Sequence, residues 1–217
     1  MTSLWEVQGW LYDSLFLLKP HAALVTDVAS RLDSGAQVLD AGCGSGRLGL
    51  DTAAHVVGVD FSSTMLRTAA AREDDIVQGS LVDGLPFTND SFDQIACINV
   101  IYALGSGYAS ALSELHRVLR PGGQLFLANP VNDQLTPLIA EHFKTASPRE
   151  MARSVLNIPR FIAWGINLAR RSRYESSQFV FLTEDELKAA VTAAGFTIKS
   201  VEPTYAGIDR LVVAGKE

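Results

Sequence analysis

Residues Gln37–Asp60, QVLDAGCGSGRLGLDTAAHVVGVD, decide the fold of this chain. Gln37 to Asp40 is a short apolar run of strand type that stops at a turn carrying Gly42, Gly44 and Gly46, after which Leu48 and Leu50 open a short helix. His55 to Val59 reads as a second strand, ending on the carboxylate of Asp60. Glycine at every second position lets the backbone take positive φ and approach a ligand closely, and a helix N-terminus behind it favours negative charge. Asp60 stands 18 positions after Gly42, near the spacing at which a second-strand acid accepts hydrogen bonds from ribose hydroxyls in nucleotide-binding α/β folds. Tight helix–strand packing also calls for glycine, so the turn alone does not choose a ligand. The spacing narrows the choice. A dinucleotide fingerprint reads G-x-G-x-x-G, with its third glycine where this chain has Arg47, whereas the pattern here is G-x-G-x-G.

Outward from this stretch, strands and helices alternate. Ser62 or Ser63 can cap a helix running to about Arg72, and Ile76 to Gly79 makes a third strand. Phe92 to Asn99 is a longer apolar strand, Ala109 to Leu119 a helix, and Pro121-Gly122-Gly123 its stop signal before the strand Gln124 to Ala128. Thr183 and Glu186 form a capping box at the head of a helix that Gly195 ends, and the strands Phe196–Val201 and Asp209–Ala214 should pair as a hairpin. Such alternation predicts right-handed crossovers and a parallel sheet with helices on both faces, its last strand antiparallel. Ahead of the first strand, Leu4 to Leu18 and Leu24 to Leu32 have helical spacing with a break at Lys19-Pro20, which gives an N-terminal helical cap over residues 1–35.

Residues 131–178 have a different texture. Ser147-Pro148-Arg149-Glu150 is a capping box with proline at the first helical position, and a further helix should begin near Asn157, apolar almost all round through Phe161, Ile162, Trp164, Ile166 and Leu168. An insertion after the fifth strand would sit over the ligand face of the sheet as a helical lid. Six arginines between Arg149 and Arg173 also allow the basic apolar helix to rest on an anionic membrane.

The 217 residues, 47% hydrophobic and 19% charged, suit one domain (1–217) with a core formed by 36–130 and 179–217. A net charge of -6 argues against a general nucleic-acid binder. The start has no basic leader region and no stretch approaches the ~20 apolar residues of a membrane span, so a cytoplasmic protein is expected. Two cysteines, Cys43 and Cys97, are too few and too scattered for a disulfide framework or a zinc site, and no metal is expected.

VLDAGCGSGRL resembles the first motif of the class I S-adenosylmethionine-dependent methyltransferases. VVGVDFSSTML (Val56–Leu66), LPFTNDSFDQIACINVIYAL (Leu85–Leu104) and LHRVLRPGGQLFLANP (Leu115–Pro130) resemble the family's later motifs, in the family's order. The resemblance implies an α/β, doubly wound, seven-stranded, mostly parallel sheet of Rossmann-like methyltransferase type. It also implies S-adenosylmethionine as cofactor. Gly42, Gly44 and Gly46 would admit its methionine part, Asp40 would receive the ammonium, Asp60 would hold the ribose, and Phe61 and Met65 would face the adenine. Tyr12, in a Tyr-Asp pair like one often found near the methionine end, and Asn99 belong to the same expected site. Where many members have Gly-Asp at the third strand's end, with the acid accepting from the adenine, this chain has Gly79-Ser80 followed by Leu81. Ser80 is a weaker acceptor than a carboxylate.

Methyl transfer from a sulfonium is an in-line displacement, which needs placement and exclusion of water more than a reactive side chain. Tyr102, Asn129 and His142 are the candidates for handling a proton or orienting an acceptor. His116 and His55 read as structural, and His21 as either exposed or functional. Apolar lid surface, with Phe161, Trp164 and Ile166 foremost, points to a small, largely apolar acceptor methylated at O, N or C. The competing expectation is a non-catalytic cofactor-binding subunit or sensor, because fold and activity are separable.

Overall fold

The computed structural model describes residues 17–134, 136–159 and 179–217. Seven strands, β1 (Gln37–Ala41), β2 (His55–Asp60), β3 (Asp75–Gln78), β4 (Phe92–Ile98), β5 (Leu119–Pro130), β6 (Thr197–Thr204) and β7 (Asp209–Gly215), form one sheet in the order β3-β2-β1-β4-β5-β7-β6. β1 pairs in parallel with β2 and β4, β2 with β3, and β4 with β5. The expected hairpin is present, but β7 slots between β5 and β6 and is antiparallel to both.

Side chains of the central strands alternate between two apolar layers, as a period of two requires. Leu39, Ile95, Cys97, Leu125, Leu127 and Val212 pack on one face against α3 (Tyr108–Val118) and α6 (Glu184–Ala193). α3 buries Leu112 and Leu115 completely, each worth about 1.5 to 3 kcal/mol. Val38, Val56, Ala96, Phe126 and Val213 face α1 (Lys19–Ser30), through its Leu24, Val25 and Val28. Both faces being covered explains why these strands read as continuous apolar runs. Cys43 and Cys97 are free and buried.

Several boundaries differ from the sequence reading. After Gly46 the chain makes only a 3₁₀ turn, Leu48–Leu50, because β2 begins at His55 and leaves no room for an α-helix. Ser62 caps α2 (Ser63–Ala69) by accepting from the Met65 N–H at 3.3 Å, but the helix stops at Ala69, three residues short of expectation. α3 ends at Val118 and strand pairing starts at Leu119, so Pro121-Gly122-Gly123 is an irregularity inside β5 and not the helix stop. His55 is exposed beside Asp74 and Asp75 at 3.5 and 3.3 Å, where packing was expected.

Of the segment expected as a lid, α4 (Thr136–Thr145) and α5 (Pro148–Leu156) are described, and α5 carries the full Ser147–Glu150 capping box. Phe161, Trp164 and Ile166 lie outside the described residues, as does Tyr12.

Candidate functional site

Between β1 and β4 the chain reverses direction across the sheet, and the crevice outside the carboxyl ends of these strands is where open α/β sheets bind ligands. A pocket opens there. Asp40, Gly42 and Gly44 line it from β1 and its turn, Asp60, Phe61 and Met65 from β2 and α2, and Leu81 and Asn99 from the loops after β3 and β4. These are eight of the eleven cofactor residues expected from the sequence.

The turn is held from within. Gly42 and Cys43 donate to the Val59 carbonyl at 2.8 and 3.0 Å, Gly44 donates to Asp60 Oδ2 at 3.0 Å, and Gly46 donates to the Cys43 carbonyl at 2.9 Å. With these amides occupied, the turn is not a phosphate cradle of the kind that presents free N–H groups. Gly42, at φ 75°, passes so close to the loop after β4 that a Cβ would lie 2.5 Å from Val100 Cγ2. Gly46 does not line the pocket. A Cβ there would meet the Ala69 Cα at 2.8 Å, so its task is close packing on α2.

Two acids face this cavity. Asp60 accepts from Gly44 at Oδ2 and from Ser62 at Oδ1 (2.8 Å), bonds that hold its carboxyl fixed and oppose the upward pKa shift that burial imposes. Asp40 is 5% exposed, and burial pushes its pKa up to about 7. Among the described residues neither acid forms an ion pair with a lysine or arginine. The Phe61 ring is 44% exposed at the pocket edge, while Met65 is buried beneath it. A ligand bringing its own positive charge and an apolar ring suits such walls, and a pyrophosphate does not.

His21, left open between exposure and function in the sequence, lines the pocket, as do Arg47, Val100, Ala103 and Leu104, which the sequence did not single out. His21 is 2% exposed, and burial, followed by the charge of Arg47, takes its pKa down to about 4, so the imidazole is neutral at physiological pH. Its ring meets Tyr205 edge-on at 5.4 Å.

Other expected residues are employed elsewhere. Ser80 accepts from the Val82 and Asp83 N–H groups at 3.3 Å each, closing a turn, and it is not among the pocket's residues. His142 is a latch: its Nδ1 accepts from the Lys19 N–H at 3.0 Å and its Nε2 meets Ser154 Oγ at 2.8 Å, tying α4 to α5 and to the start of α1. The ring is bonded on both sides, and His142 is not among the residues that line the pocket. Asn129 accepts from the Tyr102 N–H at 3.0 Å and donates to the Pro130 carbonyl at 3.1 Å. The Tyr102 ring lies between Phe179 and Phe181, 5.7 Å from each. Close by, Asp209 is fully buried, and burial raises its pKa to about 8 against the amide of Asn99 and the charge of Arg210.

A sheet of this order, with its ligand pocket over a glycine turn and an acid closing the second strand, is the Rossmann-like methyltransferase fold. Residues 39–127 match the model of the family described as methyltransferase domain. It is 38% identical over 110 residues to malonyl-[acyl-carrier protein] O-methyltransferase of Erwinia billingiae, covering 49% of this chain and 43% of that protein. With demethylmenaquinone methyltransferase of Listeria welshimeri it shares 34% identity over 113 residues, 44% of this chain and 45% of the other. The chain thus spans about half the length of the curated relatives it matches. Among solved structures, an S-adenosylmethionine-dependent methyltransferase of Thermotoga maritima superposes with a TM-score of 0.66 at 16% identity, covering 99% of this chain and all of that one.

Proposed function

We propose that this protein transfers the methyl group of S-adenosylmethionine to a small, largely apolar acceptor. The observation that carries the reading is the pocket at the β1/β4 switch, with two acids that among the described residues form no ion pair with a lysine or arginine, above a turn whose Gly42, Cys43, Gly44 and Gly46 amides are occupied. Asp40 would take the ligand's ammonium and Asp60 its ribose hydroxyls. Phe61 and Met65 would hold the adenine between a ring and a thioether. When bound, the cofactor supplies an electrophilic sulfonium methyl. The chain's own contribution is to fix that carbon's approach and keep water away, with Val100, Ala103 and Leu104 as the apolar wall.

Tyr102 and Asn129 are proposed as positioning residues, because their bonds set the loop after β4 that carries Asn99, Val100 and Leu104 to the pocket. His21 is a neutral imidazole among the residues that line the pocket and the candidate for receiving a proton where the acceptor must lose one.

An apolar acceptor is supported by apolar side chains left outside on the described part of the 131–178 segment: Phe143 is 63%, Val155 53% and Leu156 79% exposed. The curated relatives act on a carrier-bound malonyl group and a quinone precursor, as their names state. Among the described residues no helix is long and apolar enough to cross a membrane.

The test is a transfer assay with methyl-labelled S-adenosylmethionine against a small-molecule extract and a panel of quinone precursors and acyl esters. Label in an organic-soluble product with wild type, and none with Asp60→Ala, supports the reading. Label only in protein or nucleic acid overturns the acceptor class, and cofactor binding without any transfer favours the sensor.

A further inference from the structure

Beneath the glycine turn lies a carboxyl that the pocket itself does not display. Glu73 is 9% exposed, although its neighbours Asp74 and Asp75 are at the surface. Two glycines make its room. A Cβ at Gly58 in β2 would overlap the Glu73 Oε2 atom, and one at Gly49 would lie 2.8 Å from Glu73 Cγ. Arg72 straps the same segment to the turn, donating to the Ser45 carbonyl at 3.1 Å and to Ser45 Oγ at 3.0 Å. So placed, Glu73 Oε2 fills the side-chain space of Gly58, the residue paired with Asp40 across β1 and β2, which sets the Glu73 carboxyl beside that of Asp40; Asp40 lines the pocket where Glu73 does not, and neither Glu73 oxygen meets a hydrogen-bond donor among the described residues. The other ionisable groups felt by the pair are Asp60 from β2 and the Cys43 thiol of the turn. Two carboxyl groups in contact, buried and facing further acid, cannot both ionise, and a hydrogen bond between them requires one proton.

We infer that Glu73 is a positioning residue for the cofactor site: a neutral acid that donates its proton to Asp40 and leaves Asp40 as the anionic acceptor for a cationic ligand group. The inference rests on the proposal that the ligand is S-adenosylmethionine, with its ammonium at Asp40. Burial raises both carboxyls, Glu73 further than Asp40, so the proton the pair shares sits on Glu73 and Asp40 is the first of the two to ionise. A ligand cation should then expel the fraction of a proton that Asp40 still holds. Without a donor at position 73, Asp40 would titrate at higher pH and bind more weakly at neutrality.

The experiment is calorimetric binding of S-adenosylhomocysteine to wild type, Glu73→Gln and Glu73→Met at pH 6, 7, 8 and 9, in buffers of two ionisation enthalpies, after thermal melts have confirmed folding. Ratios between proteins at one pH cancel the ligand's own amine titration. Glu73→Gln, a neutral donor of the same shape, should stay within about threefold of wild type at pH 7. Glu73→Met should bind roughly tenfold more weakly there, with the gap closing towards pH 9, which a defect of packing alone would not do. Equal weakness of both variants at every pH, or wild-type affinity in Glu73→Met, overturns the inference. If Glu73→Met does not fold, Glu73→Gln still decides, since a tenfold loss in it contradicts a neutral donor. Failure of wild type to bind the ligand at all is a different result and refutes the cofactor reading itself.

Discussion

Asp209 offers the sharpest test of the buried electrostatics. It opens β7, is fully buried, and has a pKa raised from 3.8 to about 8, burial being the dominant cause. An acid that binds its proton more tightly when folded makes the folded state lose stability as pH rises. The loss starts at the unfolded value, near 4, and is complete at the folded value, near 8. Between pH 5 and pH 7 both limits are clear, and two pH units correspond to about 3 kcal/mol. Asp209→Asn keeps the shape and removes the titration. Wild type should therefore lose about 3 kcal/mol more than the variant over that interval, or roughly 6 to 12 °C in melting temperature for a chain of this size. Any constant cost of the new amide cancels in the comparison. Thermal melts of both proteins at half-unit steps from pH 4 to 9 read the effect, with Asp40 and Glu73 contributing equally to both curves. Parallel curves for the two proteins would refute the reasoning.

Further outcomes follow from the pocket and its supports. Gly42→Ala should abolish cofactor binding and lower stability by about 1 to 2 kcal/mol or more, since it adds a clash with Val100 to a positive φ; denaturant melts and calorimetry check both. Phe61→Ala should leave the melting temperature nearly unchanged, because the ring is partly exposed, while weakening S-adenosylhomocysteine binding by about 1 kcal/mol in titration. His142→Ala should cost about 1 to 3 kcal/mol of stability by orphaning the Lys19 amide and removing the side-chain bond to Ser154, with cofactor affinity unchanged once the protein is folded.

Those residues also mark how far the sequence could be read. β1, its turn and β2 were legible because an apolar run broken by alternate glycines has few local solutions, and Asp60 followed from its place at a strand end. The parallel sheet with helices on both faces followed from the alternation of strands and helices, whereas the strand order did not. Glu73 was not legible. It sits in the acidic run of Arg72-Glu73-Asp74-Asp75, which reads as a solvated surface, and only the room left by Gly49 and Gly58, distant in sequence, turns it inward. His142 and Ser80 misled for a related reason: a residue type suited to chemistry was consumed by local hydrogen bonds that depend on packing of α1, α4 and α5 or on the turn after β3. For His21 the sequence left exposure and function both open; its place one turn ahead of Leu24 and Val25 on the buried face of α1 argues against exposure, but nothing local said that this face borders the pocket.

The central claim is that the acid-lined pocket at the β1/β4 switch takes S-adenosylmethionine and not a nicotinamide dinucleotide. Isothermal titration of the wild-type chain with S-adenosylhomocysteine and, separately, NADH tests it most directly, with Asp60→Ala as the control. S-adenosylhomocysteine should bind one to one, lose about 1 to 3 kcal/mol of affinity in Asp60→Ala, and find no counterpart in NADH. Binding of NADH with silence from S-adenosylhomocysteine would contradict the account.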